Sequence, residues 1–177
     1  RGAYVYVKAS DVIEQGMIKK EIIINENIDE IEDDEQNSQE VVLEVAYKKR
    51  LILAKYFKEM GLNINPLVLI QLPNAEAGEV KIQAIKKFLA GKHLAEETGE
   101  LAIWLSEQKS EDIDEVAEPD NKIEFLIFKQ AINTGWDCPR AHILVKFRET
   151  HSETFEIQTV GRIMRMPEQK HYIIEDL

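Results

Sequence analysis

No run of this 177-residue sequence stays apolar for the roughly 18 positions a helix needs to cross a bilayer. No basic-then-apolar leader opens it, so neither a membrane nor a secretory route is expected. It has one cysteine, Cys138, which excludes an internal disulfide. No CxxC pair occurs, and the four histidines are scattered, so metal-ligand spacing is missing too. The expected setting is a reducing cytoplasm. Basic charge is also short. The net charge of −11 argues against a general nucleic-acid-coating protein, whose footprint is cationic. No internal repeat is visible.

What remains is a chain that is 44% hydrophobic, enough for one core of α/β size. It opens on Arg1 rather than methionine and enters structured-looking sequence at once, so a segment of a longer chain is expected. Its acidity is concentrated. Residues 1–120 carry 14 basic and 25 acidic side chains, whereas 121–177 carry eight of each. In "ENIDEIEDDEQNSQE", residues 26–40, eight of fifteen are acidic and none is basic. Such a block repels itself and reads as a solvated, mobile loop. The expected organisation is an opening segment at 1–40, holding a strand and this loop, followed by one compact domain at 41–177.

Periodicity predicts alternating elements. A short helix or turn at 11–17 precedes a β-branched strand at 18–25. Val42, Val45, Ala46, Ile52, Leu53, Tyr56 and Met60 recur at helical spacing until Gly61. "PLVLIQLPN" resembles a strand buried on both faces, as parallel sheets require. A helix through Val80, Ile85 and Leu89 ends at Gly91. Strands follow at 100–107, 123–128 and 142–147, then a helix at 153–166 and a last strand at 171–175. Alternation of this kind implies a mostly parallel sheet covered on both sides. In such sheets the working groups lie at the carboxyl ends of strands. "QLPN", "KQAINTGWDCPRA" and the helix at 153–166 are the three candidate places, expected along one edge.

The stretch "FEIQTVGRIMRMPE" carries the chemistry. At about 100° per residue, Gln158, Gly161, Arg162 and Arg165 share one arc, while Ile157, Val160 and Met164 face elsewhere. Gly161 costs a helix interior about 1 kcal/mol against alanine, which makes sense where something approaches the backbone closely. Two guanidiniums on one face can grip phosphate oxygens and neutralise charge that builds as a γ-phosphate is transferred. The alternative is a solvated face whose arginines pair with Glu153 or Glu156.

"QTVGRIMR" matches motif VI of the superfamily 2 helicases, Q-x-x-G-R-x-x-R, at all four fixed positions. "AINTGWDCPRA" resembles their motif V, and "PLVLIQLPN" sits where their motif IV strand belongs. With "VIEQGMIKKEII" upstream, the match covers nearly the whole chain apart from the acidic block. It looks most like the Res subunit of type III restriction enzymes. The resemblance implies a RecA-like, three-layer α/β/α fold: the second helicase lobe, without a nucleotide-binding phosphate loop of its own. It implies arginine fingers at Arg162 and Arg165, with Gln158 and Gly161 at the nucleotide or lobe interface. Gly135 and Asp137 match motif V positions that couple to nucleotide; a turn-forming Asp137 before Cys138 is the alternative. Thr134, Lys129 and Gln71 are candidates for DNA contact, although Lys129 and Gln130 replace a Thr-Asp pair common in relatives. The implied ligands are ATP and Mg²⁺, bound mainly by the first lobe. Implied partners are double-stranded DNA, that first lobe and a nuclease domain of the same chain, and a Mod methyltransferase subunit.

Other motifs fail on spacing. "GKH" at 91–93 would need glycine at Lys86 and a hydroxyl at His93 to make a phosphate loop. "DEIE" and "DEVA" follow no apolar strand that would aim acids at Mg²⁺. Trp104 alternates within a strand and suits a core, while Trp136 suits either base stacking or wedging the motif V loop. Three functions stay open on the sequence: the Res translocase lobe, the same lobe of another superfamily 2 DNA or RNA helicase, and a non-catalytic RecA-like binding module. Alone, the chain is expected neither to hydrolyse ATP nor to cut DNA.

Overall fold

A computed structural model describes residues 7–19, 35–72, 77–105, 115–129, 136–147, 161 and 164–168. Four strands, β1 (Leu67–Gln71), β2 (Leu101–Trp104), β3 (Phe125–Phe128) and β4 (Ala141–Lys146), form one sheet in the order β2-β3-β1-β4. Every pairing is parallel. Among the described residues three complete helices accompany them: α1 (Ala9–Glu14), α2 (Glu35–Glu59) and α3 (Ala77–Ala90). This is the α/β, parallel-sheet architecture expected for a RecA-like fold.

The central strands β1 and β3 are buried at every position, which is why "LVLIQ" and "FLIF" read as continuous apolar runs rather than alternating ones. Their side chains divide by parity. Val68, Ile70, Phe125, Ile127 and Ile103 face α2 and α3, meeting Leu43, Ala46, Ile82, Ile85 and Leu89. Leu67, Leu69, Leu126, Phe128 and Ala102 face the other way, where Val116, Ile123, Cys138 and the half-buried Trp136 cover them. A third cluster joins Leu53 and Phe57 of α2 to Ile64 and Met166. Among the described residues no helix is long and apolar enough to cross a membrane.

Helix α2 shows how the pattern folds. Leu43, Ala46, Leu53 and Phe57 lie on one stripe at helical spacing and are all buried. Gly61 ends the helix in a left-handed conformation at φ 71°, with the Leu62 N–H donating to the Phe57 carbonyl at 2.9 Å. Helix α3 stops where expected, at Ala90 just before Gly91, and His93 two residues on takes the left-handed position at φ 63°. Leu94 then donates back to the Leu89 carbonyl.

Two expected boundaries are corrected. Residues 35–40 of the acidic block belong to α2 rather than to a loop; carboxylates are favoured near a helix N-terminus, so acidity there does not oppose helix. The helix expected at 153–166 does not reach its end. Gly161 is helical, but Met164 is in a turn and Arg165 forms an isolated antiparallel bridge with Ile18. Pro167 disfavours helix at the residue before it, and the bridge takes over the backbone groups released. Of the strand expected at 18–25, Ile18 makes that single bridge; residues 20–25 and the strand expected at 171–175 lie outside the described residues.

His142, at the register shift between β1 and β4, supplies a pH test. Its Nδ1 lies 2.7 Å from the Arg140 carbonyl, and its ring packs edge-on to Phe57 at 5.2 Å. Burial first, then the Lys19 ammonium nearby, push its pKa down to about 3. Its folded value therefore lies below the unfolded one. The stability this confers is complete above about pH 6.5 and is lost as pH falls toward 3, by about 1.4 kcal/mol per unit. We expect urea midpoints to drop more steeply between pH 6 and 4 in the native chain than in His142→Asn, whose amide keeps the Nδ1-like donor. Parallel curves would remove His142 from the acid response.

Candidate functional site

Arg165 and Asp137, 28 positions apart in sequence, meet in a hydrogen-bonded ion pair between Arg165 Nη1 and Asp137 Oδ2. Both side chains face solvent, at 59% and 42% exposure. A pair this exposed contributes only about 0–1 kcal/mol, so it does not hold the fold together. Its backbone is another matter. Arg165 is clamped on both sides by the opening segment: the Lys19 N–H donates to the Met164 carbonyl at 2.6 Å, and the Met166 N–H to the Met17 carbonyl at 3.2 Å. Met166 is then buried against α2 and Ile64. The result is a fixed stem carrying a guanidinium free to exchange its partner.

The loop that presents Asp137 is equally fixed. Trp136 stacks edge-on against Trp104 with ring centroids 6.2 Å apart, so Trp136 wedges the loop at the carboxyl end of β2. Cys138 is buried beneath it; its Sγ lies 3.7 Å from the Val116 carbonyl. Burial pushes the thiol up to about 11, which rules it out as a nucleophile near neutrality. Arg140 then anchors the loop at the amino ends of the strands. Its Nε donates to the Val116 carbonyl at 2.7 Å, and its Nη1 to the carbonyls of Asn65 and Ile123 at 2.7 and 2.9 Å.

The single edge expected for the candidate places is divided. Gln71 and Lys129 do lie at the carboxyl ends, in or next to the row Trp104, Phe128, Gln71, Lys146. The Arg165 backbone instead pairs with the segment whose Lys19 Nζ donates to the carbonyl of Ala141, the first residue of β4. Gln71 is fully buried, and neither of its amide atoms has a hydrogen-bond partner among the described residues. As placed, it offers no surface to a DNA phosphate. Lys129 is half-buried and pairs with Glu79 of α3 at 3.6 Å. Gly161 is exposed, has no positive φ, and a Cβ built on it would meet nothing within 4 Å among the described residues. Arg162, Gln158, Gly135 and Thr134 lie outside the described residues. Among the described residues no group of three His, Cys, Asp or Glu side chains could hold a metal.

Three residues escaped the sequence reading. Lys19 is half-buried, and desolvation lowers its pKa to about 7. Arg50 occupies the buried stripe of α2, seven residues after Leu43, and is 2.7 Å from Glu124 and hydrogen-bonded to Asn65. Its place on that stripe was the available signal. Arg140 is 1% exposed, and nothing local in "DCPRA" announces a buried guanidinium.

A four-stranded parallel sheet with helices packed on it defines a protein of mixed α/β class, consistent with a RecA-like fold. Over 43 residues, 24% of this chain, the sequence is 42% identical to the Res subunit of the type III restriction-modification enzyme StyLTI from Salmonella typhimurium strain LT2. The aligned stretch spans 4% of that protein. No protein-family description matches the chain, and no solved structure does.

Proposed function

We propose that this chain is the second RecA-like lobe of an ATP-dependent DNA translocase of the type III restriction Res kind. In it, Arg165 and Arg162 reach across to ATP and Mg²⁺ held by a first lobe of the same chain. The observation that carries this is the Arg165–Asp137 pair: a stiffly mounted, solvent-facing guanidinium beside the aspartate of the GWD turn. A terminal phosphate offers more charge than a carboxylate, and the exposed pair costs little to break, so the guanidinium can transfer from Asp137 to the nucleotide. Asp137, once released, is a free acceptor for ribose hydroxyls. Gln158 and Gly135 complete the nucleotide side. Thr134 and Lys129 are the candidates for contacts with double-stranded DNA. A downstream nuclease domain and a Mod methyltransferase subunit are the proposed partners in restriction.

Gly161 supports the same reading. Neither backbone conformation nor any neighbour among the described residues requires glycine there, which fits a surface that another lobe approaches closely. Gly161→Leu in the intact parent protein should leave the unfolding midpoint unchanged or slightly raised, since leucine gains about 0.8 kcal/mol of helix propensity over glycine. DNA-stimulated ATP hydrolysis should fall on the order of tenfold or more. Full turnover in Gly161→Leu would count against an apposed lobe, and with it against the nucleotide role of this face.

A further inference from the structure

Lys19 touches both halves of the candidate site with different parts of itself. Its backbone N–H donates to the carbonyl of Met164, the residue before Arg165, at 2.6 Å. Its Nζ donates to the carbonyl of Ala141, four residues beyond Asp137, at 3.2 Å. Ile18 beside it is the bridge partner of Arg165. The Asp137 loop is otherwise fixed to β2 and to the amino ends of the sheet through Trp136 and Arg140, while the Arg165 stem is fixed to α2 through Met166. Among the described residues, the Lys19 side chain therefore links the opening segment, and through it the arginine stem, to the strand that follows the aspartate loop.

A half-buried lysine is a costly way to make such a link. Moving an ammonium even partly out of water is unfavourable, and the Lys19 Nζ gives one of its hydrogen bonds to a backbone carbonyl. A methionine would fill the same volume without that penalty. Retaining the amine makes physical sense if its directional hydrogen bond is what matters, since an apolar stem packs but does not set a distance.

On the reading of this face as a nucleotide site, we propose that Lys19 is a positioning residue for Arg165: by tying the arginine stem to the start of β4, it sets the separation of the Arg165 guanidinium from Asp137 and from the phosphate that replaces it. Lys19 touches neither nucleotide nor DNA in this role. It acts through the geometry of another side chain, and displacement of a reacting group by about 1 Å can cost up to 10²-fold in rate.

The test is steady-state ATP hydrolysis by the intact parent protein, saturated with duplex DNA, carrying Lys19→Met, Lys19→Arg, Arg165→Ala, or Lys19→Met with Arg165→Ala. Lys19→Met should lower kcat on the order of tenfold with KM for ATP within about twofold. Lys19→Arg, which keeps a donor, should recover most of the loss. Adding Lys19→Met to Arg165→Ala should slow the residual single-turnover rate no further. A kcat for Lys19→Met within twofold of the native value overturns the proposal, as does an equal further fall in the double variant, which would mean that Lys19 acts through the fold at large. Unchanged turnover in Arg165→Ala by itself would instead overturn the nucleotide reading, and this proposal with it. Amide exchange gives a second measurement should Lys19→Met fail to fold. In Lys19→Gln the Met166 amide should exchange on the order of tenfold faster while the β1 amides keep their rates; uniform acceleration overturns the tether.

Discussion

On the proposed reading of Arg165 as an arginine finger, lysine in its place is expected to lower DNA-stimulated ATP turnover of the intact parent protein by about 10²-fold or more, with ATP affinity nearly unchanged. The magnitude follows from what an arginine finger supplies: removal of one costs roughly 10³–10⁵ in kcat, and lysine keeps the charge but not the planar fork. A hundredfold loss is about 2.7 kcal/mol of transition-state stabilisation. That is several times the 0–1 kcal/mol that the exposed Arg165–Asp137 pair can contribute to the folded state. Stability and turnover therefore separate cleanly at this residue. The unfolding midpoint of Arg165→Lys should stay within about 0.5 kcal/mol of the native chain, because the stem is held by backbone hydrogen bonds that lysine retains. Stopped-flow binding of a fluorescent ATP analogue, set beside steady-state turnover, checks both halves. Loss of binding and turnover in proportion would make Arg165 a ground-state contact; unchanged turnover would remove it from the chemistry.

The elements were legible wherever a local period decides them. The period of α2 places a helix, but of the residues expected on its stripe only Ala46 and Leu53 are buried, Val45 and Ile52 are exposed, and the buried face runs through Leu43 and Phe57 instead. The uninterrupted apolar run of β1 marks a strand covered on both sides. The meeting of Arg165 with Asp137 was foreshadowed through the resemblance and the order of two motifs, but not the ion pair itself or the extended backbone beneath it. That backbone depends on Ile18, 147 positions away, and no window of sequence contains both. The same holds for the half-buried Lys19 and the buried Arg140. Lys19 finds its acceptor 122 positions on, and Arg140 finds its acceptors 75, 24 and 17 positions back. Gln71 shows the reverse failure. A polar residue at the carboxyl end of a strand invites a ligand role on paper, yet the fold has closed over it.

Arg140 carries the largest expected effect on stability. A basic residue inside a motif V resemblance would ordinarily be assigned to a nucleic-acid backbone, whereas here its guanidinium is turned inward onto carbonyls of three separate segments: Asn65 before β1, Val116, and Ile123 before β3. Burial lowers its pKa to about 10, which still leaves it charged throughout the physiological range. The Val116 and Ile123 bonds are buried and the Asn65 bond half-buried, so water is poorly placed to replace the guanidinium. Methionine at this position would fill much of the volume and abandon all three acceptors, at about 1–3 kcal/mol for each one left unsatisfied. Arg140→Met should therefore cost at least about 3–5 kcal/mol, a large part of the 5–15 kcal/mol that holds a typical domain together. Arg50→Met should cost less. Its partner Glu124 already has its pKa raised by burial and can take up a proton once alone, and replacing Glu124 with leucine as well should recover much of the loss. Arg140 has no comparable escape, because backbone carbonyls cannot be neutralised by protonation near neutral pH. Chemical denaturation of the two variants decides the matter. If Arg140→Met shifts the midpoint by less than about 1 kcal/mol and instead weakens DNA binding with a shallower salt dependence, then the residue faces phosphate, not the three carbonyls.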